Sequence, residues 1–338
     1  MTNTDHAKKT KKLTQQVLKY AKGENKNSIT QLLNTFIPFI ALWVGAYLLM
    51  NISYLLSVPL IIVAAGFLIR IFIIFHDCCH GSFFKSKKVN LILGTITGVI
   101  TLFPFTQWKR DHSIHHATSS NLDKRGTGDI WVFTIEEYQA ASRWEKLMYR
   151  LYRNPVVMFG LGPIYLFLIK NRFNRKDAPL KERMNTYTTN ALIVAFALCT
   201  ILLVGWQAFL LIQGPIFFIS GMLGIWLFYV QHTFEDTYFE EDENWDYVKA
   251  AVEGSSYYKL PPLLQWLTGN IGYHHVHHLS PRIPNYKLAK AHNETEQLKN
   301  IPTVTLLTSL QSLKFRLWDT TEKRFVGYKA LKQIQQSN

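Results

Sequence analysis

The sequence predicts an all-α integral membrane protein, with four transmembrane helices in two hairpins, re-entrant or interfacial helices between them, and a cytoplasmic cap. No Asp, Glu, Lys or Arg occurs from Asn27 to Ile69 or from Met184 to Phe234. Each run is long enough for two crossings, because one transmembrane helix needs roughly 20 apolar residues. A second observation indicates the cap: most histidines cluster at the ends of these runs or in the polar segments outside them.

The chain is interpreted as one membrane domain over residues 1–338. In order, its expected parts are a cytoplasmic amino-terminal segment (residues 1–32), a first transmembrane hairpin (33–75) and a cytoplasmic or interfacial region (76–187). A second transmembrane hairpin (188–234) and a cytoplasmic carboxy-terminal region (235–338) follow. The four helices are expected near residues 33–51, 54–75, 188–212 and 216–234. Two short external turns would join them, at residues 51–54 and 213–215, because neither stretch contains a charged side chain.

Lysines set the orientation, because cytoplasmic flanks of membrane helices carry the positive excess. They precede the first helix and follow the second: Lys8, Lys9, Lys11, Lys12, Lys19, Lys22 and Lys26, then Lys85, Lys87 and Lys88. Both termini are therefore expected in the cytoplasm. The chain is expected in the plasma membrane. The net charge of +14 suits anionic lipid or an acidic electron carrier. Nucleic-acid binding is disfavoured, because the basic residues flank membrane helices and form no separate domain.

Two further uncharged or apolar stretches, residues 89–108 and 154–169, are each interrupted by glycine and proline. A crossing at 89–108 would place His76 and His112 on opposite sides of the membrane. We therefore predict that both stretches return to the side from which they start, as re-entrant or interfacial segments.

Three histidine clusters carry the chemistry. They are His76-x3-His80, His112-x2-His115-His116 and His274-His275-x-His277-His278. On a helix, residues three and four apart share a face, so each cluster is expected to present a patch of imidazoles. His232 ends an apolar run, and for this residue a buried structural role is an equal alternative. His275 points about 100° away from His274, which indicates a supporting position around the metal ligands.

Imidazole is the commonest metal ligand in proteins. Eight or nine imidazoles exceed the four to six ligands of one ion, so two metal ions are expected. Cys78 and Cys79 lie inside the first cluster, and we interpret them as packing residues. With only three cysteines, the sequence has no disulfide framework, which fits a reducing compartment.

Two irons fit this donor set better than zinc, whose catalytic sites use about three protein ligands. Iron and dioxygen together can attack an unactivated C–H bond. A substrate within the bilayer would explain the position of the site beside membrane helices, and acyl chains are the obvious candidates.

The three clusters, in this order and with this spacing, resemble the histidine boxes of the membrane fatty-acid desaturases. The longer motifs Phe75–His80, His112–Ser120, Gln231–Asp236 and Gly272–Pro281 are similar to those of acyl-lipid desaturases of bacilli. The resemblance covers nearly the whole chain. It implies oxygen-dependent insertion of a cis double bond at position delta-5 into acyl chains of membrane phospholipids.

The resemblance also implies residue roles. Nine histidines would bind the two irons: His76, His80, His112, His115, His116, His232, His274, His277 and His278. Asn270 would hold a water molecule on one iron. Asp77 and Asp236 would orient ligating imidazoles, while Asp111, Asp129 and Glu235 are left open between this role and simple solvation.

Electrons must come from another protein, because the sequence has no flavin, nicotinamide or iron–sulfur motif. A ferredoxin or flavodoxin is expected. The spacing leaves a di-iron hydroxylase open, since hydroxylation begins with the same hydrogen abstraction. A metal transporter and a membrane haem protein are alternatives from another class, although a transporter would place polar residues within its membrane helices.

Overall fold

The computed structural model describes residues 12–331, so the predicted contributions of Lys8, Lys9 and Lys11 lie outside the described residues. Four helices are long and apolar enough to cross a membrane, or up to six if each of two bent helix pairs counts as one span. The four are α1 (Asn25–Met50), α2 (Tyr54–His80), α8 (Leu180–Val204) and α9 (Trp206–His232). This confirms the prediction of a multi-pass helical membrane protein.

The second hairpin turns earlier than predicted. Its turn is at Gly205, between α8 and α9, and residues 213–215 lie inside α9. Gly205 has φ 86°, which glycine adopts without steric cost. Pro215 does not end the helix, because membrane helices tolerate proline where neighbouring groups satisfy the freed carbonyl. The helices also extend beyond the apolar runs, and α2 continues as far as His80.

The stretch after the first cluster forms α3 (Lys87–Thr101) and α4 (Phe105–Thr118), which meet at an angle of 96°. Leu102, between them, takes a left-handed φ of 66°. The rings of His76, before this segment, and His112, near its end, have centroids 4.8 Å apart. The segment therefore brings the second histidine cluster back beside the first.

A second bent pair has an angle of 67° and consists of α6 (Arg143–Tyr152) followed by helical turns over Val157–Arg172. Those turns include α7 (Gly162–Leu168). Both helices of this pair leave large apolar side chains exposed; Trp144 and Leu161, for instance, are 68% and 60% exposed. Exposed apolar faces on short helices are typical of segments that lie in a membrane interface.

Six further short helices belong to the polar regions between and after the long helices. They are α5 (Ile135–Ala140), α10 (Tyr247–Val252), α11 (Pro262–Leu267), α12 (His274–Leu279), α13 (Asn285–Asn293) and α14 (Leu306–Ser309).

Five very short strands form two small sheets that the sequence analysis did not predict. The strands are β1 (Phe133–Thr134), β2 (Tyr257–Lys259), β3 (Thr303–Thr305), β4 (Leu317–Asp319) and β5 (Arg324–Val326). β4 pairs with β1 in parallel and with β5 in antiparallel orientation, while β2 and β3 are parallel.

A buried arginine joins the cap to the membrane helices. Arg70 of α2 donates to the hydroxyl oxygen of Thr35 at 3.0 Å and to the backbone carbonyl of Trp266. Its guanidinium also lies 4.0 Å from the centre of the Trp266 ring. Because Trp266 belongs to α11, these contacts hold the segment that leads into the third histidine cluster against the helix that carries the first.

Candidate metal centre

Four helices bring the nine predicted histidines together. α2 ends with the first cluster, α4 carries the second, α12 carries the third, and α9 ends at His232. The nine imidazoles divide into two groups, and within each group one ligand atom from every residue lies within 4.8 Å of the others. Two groups agree with the predicted number of two metal ions.

The five-histidine group consists of His76, His80, His112, His116 and His277. Close nitrogen pairs define it: Nε2 of His76 lies 3.0 Å from Nε2 of His277, and Nε2 of His116 lies 3.1 Å from Nε2 of His112. Trp108 stacks on His112 with ring centroids 4.3 Å apart. This contact fixes the His112 ring from the apolar side.

The four-histidine group consists of His115, His232, His274 and His278. Nε2 of His274 lies 2.9 Å from Nε2 of His232 and 3.1 Å from Nε2 of His278. Phe228, one turn before His232, packs against both His115 and His232, at centroid distances of 5.2 and 5.1 Å. His232 therefore joins the cluster, whereas a solitary structural role was an equal alternative from sequence.

The second and third clusters each divide between the two groups. The i, i+4 pairs His112/His116 and His274/His278 each stay in one group. The remaining member of each cluster, His115 or His277, joins the opposite group because an adjacent helical residue points about 100° away. Each of these helices therefore contributes to both groups.

Two carboxylates contact imidazoles of the two groups. Oδ1 of Asp77 lies 3.0 Å from Nδ1 of His76, and Oδ1 of Asp129 lies 2.5 Å from Nδ1 of His115. Asp77 also accepts hydrogen bonds from the backbone and side-chain nitrogens of Asn285, at 2.6 and 2.8 Å. Such contacts fix the tautomer and the orientation of a ligating imidazole. The sequence left Asp129 undecided, since its separation of 14 positions from His115 is no recognisable spacing.

Asp236 does not occupy the predicted supporting position. Its side chain is exposed, its φ is 60°, and among the described residues it makes no hydrogen bond to a histidine. The left-handed turn directs it outward although it follows His232 closely. Glu235 is likewise exposed, and Asp111 pairs with Arg110 at 2.9 Å.

His275 points away from both groups. Its Nε2 lies 3.0 Å from Nδ1 of His292, a histidine to which the sequence analysis gave no role. The side-chain amide of Asn270 donates to the carbonyl of Asn285 at 3.3 Å. The water-binding role of Asn270 stays a prediction. Cys78 and Cys79 are buried in an apolar cluster that includes Phe75 and Phe83.

The surroundings of the third cluster favour neutral imidazoles. Burial holds the pKa of His274, His277 and His278 well below the usual range, and neighbouring imidazoles lower it further. Neutral imidazole is the form that binds metal ions.

A cavity of about 490 Å³ reaches the histidines. Among its lining residues are His76 and His112 of the five-histidine group and His274 of the four-histidine group. Most of its remaining wall is apolar and comes from α2, α7 and α9, including Phe72, Leu166 and Ile225. The volume lies within the ~300–1,000 Å³ of small-molecule sites. A long apolar ligand in this cavity would pass beside both groups.

Comparison with known proteins decides the family. A family model described as "Fatty acid desaturase" matches residues 52–303. The chain belongs to the fatty acid desaturase family. It is 69% identical over 334 residues to a protein of Bacillus subtilis (strain 168) named "Fatty acid desaturase", and the match covers 99% of this chain and 95% of that protein.

Two cyanobacterial relatives in the desaturase family, both from Synechocystis sp., are more distant. One, named "sn-1 oleoyl-lipid 12-desaturase", is 27% identical and covers 67% of this chain and 64% of its own length. The other, named "sn-1 acyl-lipid omega-3 desaturase (ferredoxin)", is 29% identical, and the match covers 68% of this chain and 64% of that protein. The chain is thus a membrane oxidoreductase of lipid metabolism, with a histidine cluster able to bind metal.

Proposed function

We propose that this chain inserts a cis double bond at position delta-5 into saturated acyl chains of membrane phospholipids, using dioxygen and an external electron donor. The overall reaction balances when one saturated –CH2–CH2– unit, O2, two electrons and two protons give –CH=CH– and two water molecules. The named activities of the Synechocystis relatives support the lipid substrate. Resemblance of the longer histidine motifs to bacillary acyl-lipid desaturases supports the delta-5 position.

The single observation that carries the proposal is the meeting of the cavity with both histidine groups. Its wall includes ligand candidates from each group and is otherwise largely apolar, so it suits an alkyl chain placed beside a metal centre. Seven of the nine histidines are buried, with 1% of His277 and 2% of His278 exposed, and His80 and His112 are half-buried. Such a site excludes water from a reactive centre.

The residues present fit iron. Nine imidazoles offer neutral nitrogen donors, and buried ring nitrogens of His80 and His115 have no hydrogen-bond partner among the described residues. Two nitrogens bound at a right angle to one metal, each ~2.1 Å away, lie about 3.0 Å apart, close to the 2.9–3.1 Å found here. Right-angle geometry is typical of six-coordinate metals. Iron bound at both groups would supply the activation of dioxygen needed to attack an unactivated methylene.

The protein's own residues would orient the reaction. Asp77 and Asp129 hold imidazoles of the two groups, so their ligand nitrogens keep a fixed direction. The cavity wall would hold one C–C bond of the chain beside the histidines, and the distance of that bond from the ester would set the double-bond position. We propose ferredoxin or flavodoxin as the electron donor.

We also propose that the protein lies in the plasma membrane with both termini and the histidines in the cytoplasm. The histidine clusters and the basic stretch at residues 85–88 lie at the same ends of the helices. Positive residues mark the cytoplasmic side.

A bacterial host that makes no unsaturated fatty acids tests the function. We would express the chain in air, with a ferredoxin or flavodoxin, and locate any double bond by mass spectrometry. A delta-5 cis-monoene that disappears in His277→Ala, and persists in His292→Ala as a histidine control outside both groups, is expected. A hydroxy acid would instead assign a hydroxylase, and an unchanged lipid profile would refute the proposal.

A further inference from the structure

The wall of the cavity contains one cation that the reaction chemistry does not use. Lys170 is the only Lys or Arg that lines the cavity within the described part of the chain. It is exposed, and no carboxylate of the described residues lies within 4.0 Å of its Nζ. It is close enough to Asp111 to interact electrostatically, but Asp111 is paired with Arg110. Lys170 is therefore free to bind an external anion.

Lys170 lies where the cavity opens. Leu161 and Tyr165 also line the cavity, although their side chains are 60% and 55% exposed. Tyr152, at the end of α6, is a lining residue that is partly exposed as well. The opening is therefore bordered by α6, α7 and the turn that begins at Lys170.

The surface around this opening is apolar. Trp144, Leu147 and Leu151 on α6 are exposed, as are Ile164 and Leu168 on α7. An apolar surface of this extent on two short helices fits the boundary between head groups and acyl chains. A lysine directly after such a helix extends its ammonium group to the level of the lipid phosphates.

We propose that Lys170 is a head-group site, which binds the phosphodiester of the lipid whose acyl chain enters the cavity. This inference rests on the proposed function, because it assumes an esterified chain as the substrate. With the phosphate at the opening, the ester follows at the entrance and the alkyl chain extends toward the histidines. The contact would fix the point from which the position of the double bond is counted.

Lipid binding tests the site without turnover. We would purify the full chain in detergent, add equal amounts of dipalmitoyl phosphatidylglycerol and a phosphate-free galactosyl dipalmitoylglycerol, and count the retained lipids by native mass spectrometry. Lys170→Gln should lower the ratio of phospholipid to glycolipid about fivefold, the size of one partly exposed charge contact. Lys170→Arg should preserve it. Lys181→Gln, at an exposed lysine outside the cavity wall, is the matched control.

Two further binding measurements identify which anion Lys170 binds. Inorganic phosphate should not displace the phospholipid, since the apolar chains hold the lipid in place. Free palmitate should bind equally to the native chain and Lys170→Gln; an equal loss of palmitate would assign a carboxylate site and overturn the proposal, as would an unchanged lipid ratio. Unaltered thermal melting of Lys170→Gln excludes misfolding. A lowered ratio in a chain that forms no monoene would retain the head-group site while refuting the proposed function.

Discussion

The two histidine groups differ in how much of a metal ion they surround. The five-histidine group offers five imidazoles, whereas the four-histidine group offers four. Beside the latter lies a small cavity of about 20 Å³, lined by residues that include His115, His232 and Thr233. That volume is sufficient for one water molecule. A metal ion at the five-histidine group would have more imidazole ligands from the protein, and one at the four-histidine group would have more positions for ligands from outside the chain.

The largest effect is expected where the four-histidine group loses a member. His232→Ala leaves that group with three imidazoles and does not touch the other group. We expect the variant to lose one of its two irons and all detectable monoene. Iron analysis of the purified protein and the lipid profile measure the two losses.

His292→Ala is again the control, because it removes a histidine outside both groups. A His232→Ala protein that keeps both irons would show that His232 is a structural residue.

Removal of one imidazole from the five-histidine group is the matching test. His80→Ala leaves four imidazoles, the number that the other group has naturally. We expect both irons to remain after gentle purification, with affinity at this group reduced by more than the ~10–100-fold typical of supporting residues. Titration with a chelator measures the affinity. Equal iron loss in His80→Ala and His232→Ala would remove the distinction between the groups.

A smaller effect is expected at the carboxylates. Asp129→Asn should weaken iron binding at the four-histidine group about 10–100-fold, because the amide orients His115 less well. Asp77→Asn should weaken the other group similarly and also lower the melting temperature, since Asp77 accepts two hydrogen bonds from Asn285. Chelator titration and thermal melting separate the two effects. Equal melting temperatures for both variants would contradict this difference.

The sequence predicted which histidines come together better than how they divide between the two groups. Cluster spacing predicted eight of the nine grouped histidines, because i, i+3 and i, i+4 relations are local, whereas His232 was predicted from the family resemblance. The assignment of His115 and His277 to opposite groups depends on how α4 and α12 pack together, which no local spacing records. For the same reason Asp129 was left undecided, and the contact of His292 with His275 was not predicted.

The fold was likewise only partly predictable from local sequence patterns. Apolar runs predicted the four long helices, since a membrane helix satisfies its own backbone. They did not locate the second turn, because Gly205 and the Gly214–Pro215 pair are both credible breaks in an uncharged run. The short strands were also missed, because residues such as Phe133 and Leu317 pair across a long separation in sequence.

The smallest expected effect is on iron binding in Thr233→Val. It distinguishes two causes of the difference in iron binding between the two groups. The hydroxyl of Thr233 is buried and has no hydrogen-bond partner among the described residues, yet it borders the small cavity beside the four-histidine group. If this hydroxyl supports a ligand at the metal, Thr233→Val should weaken iron binding there by about fivefold, the value of one hydrogen bond of ~1 kcal/mol. Binding at the five-histidine group should not change, so the chelator titration serves as its own control. If the hydroxyl has no such role, removing an unpaired buried group should raise the melting temperature without affecting iron, and the lower imidazole count alone would account for the difference.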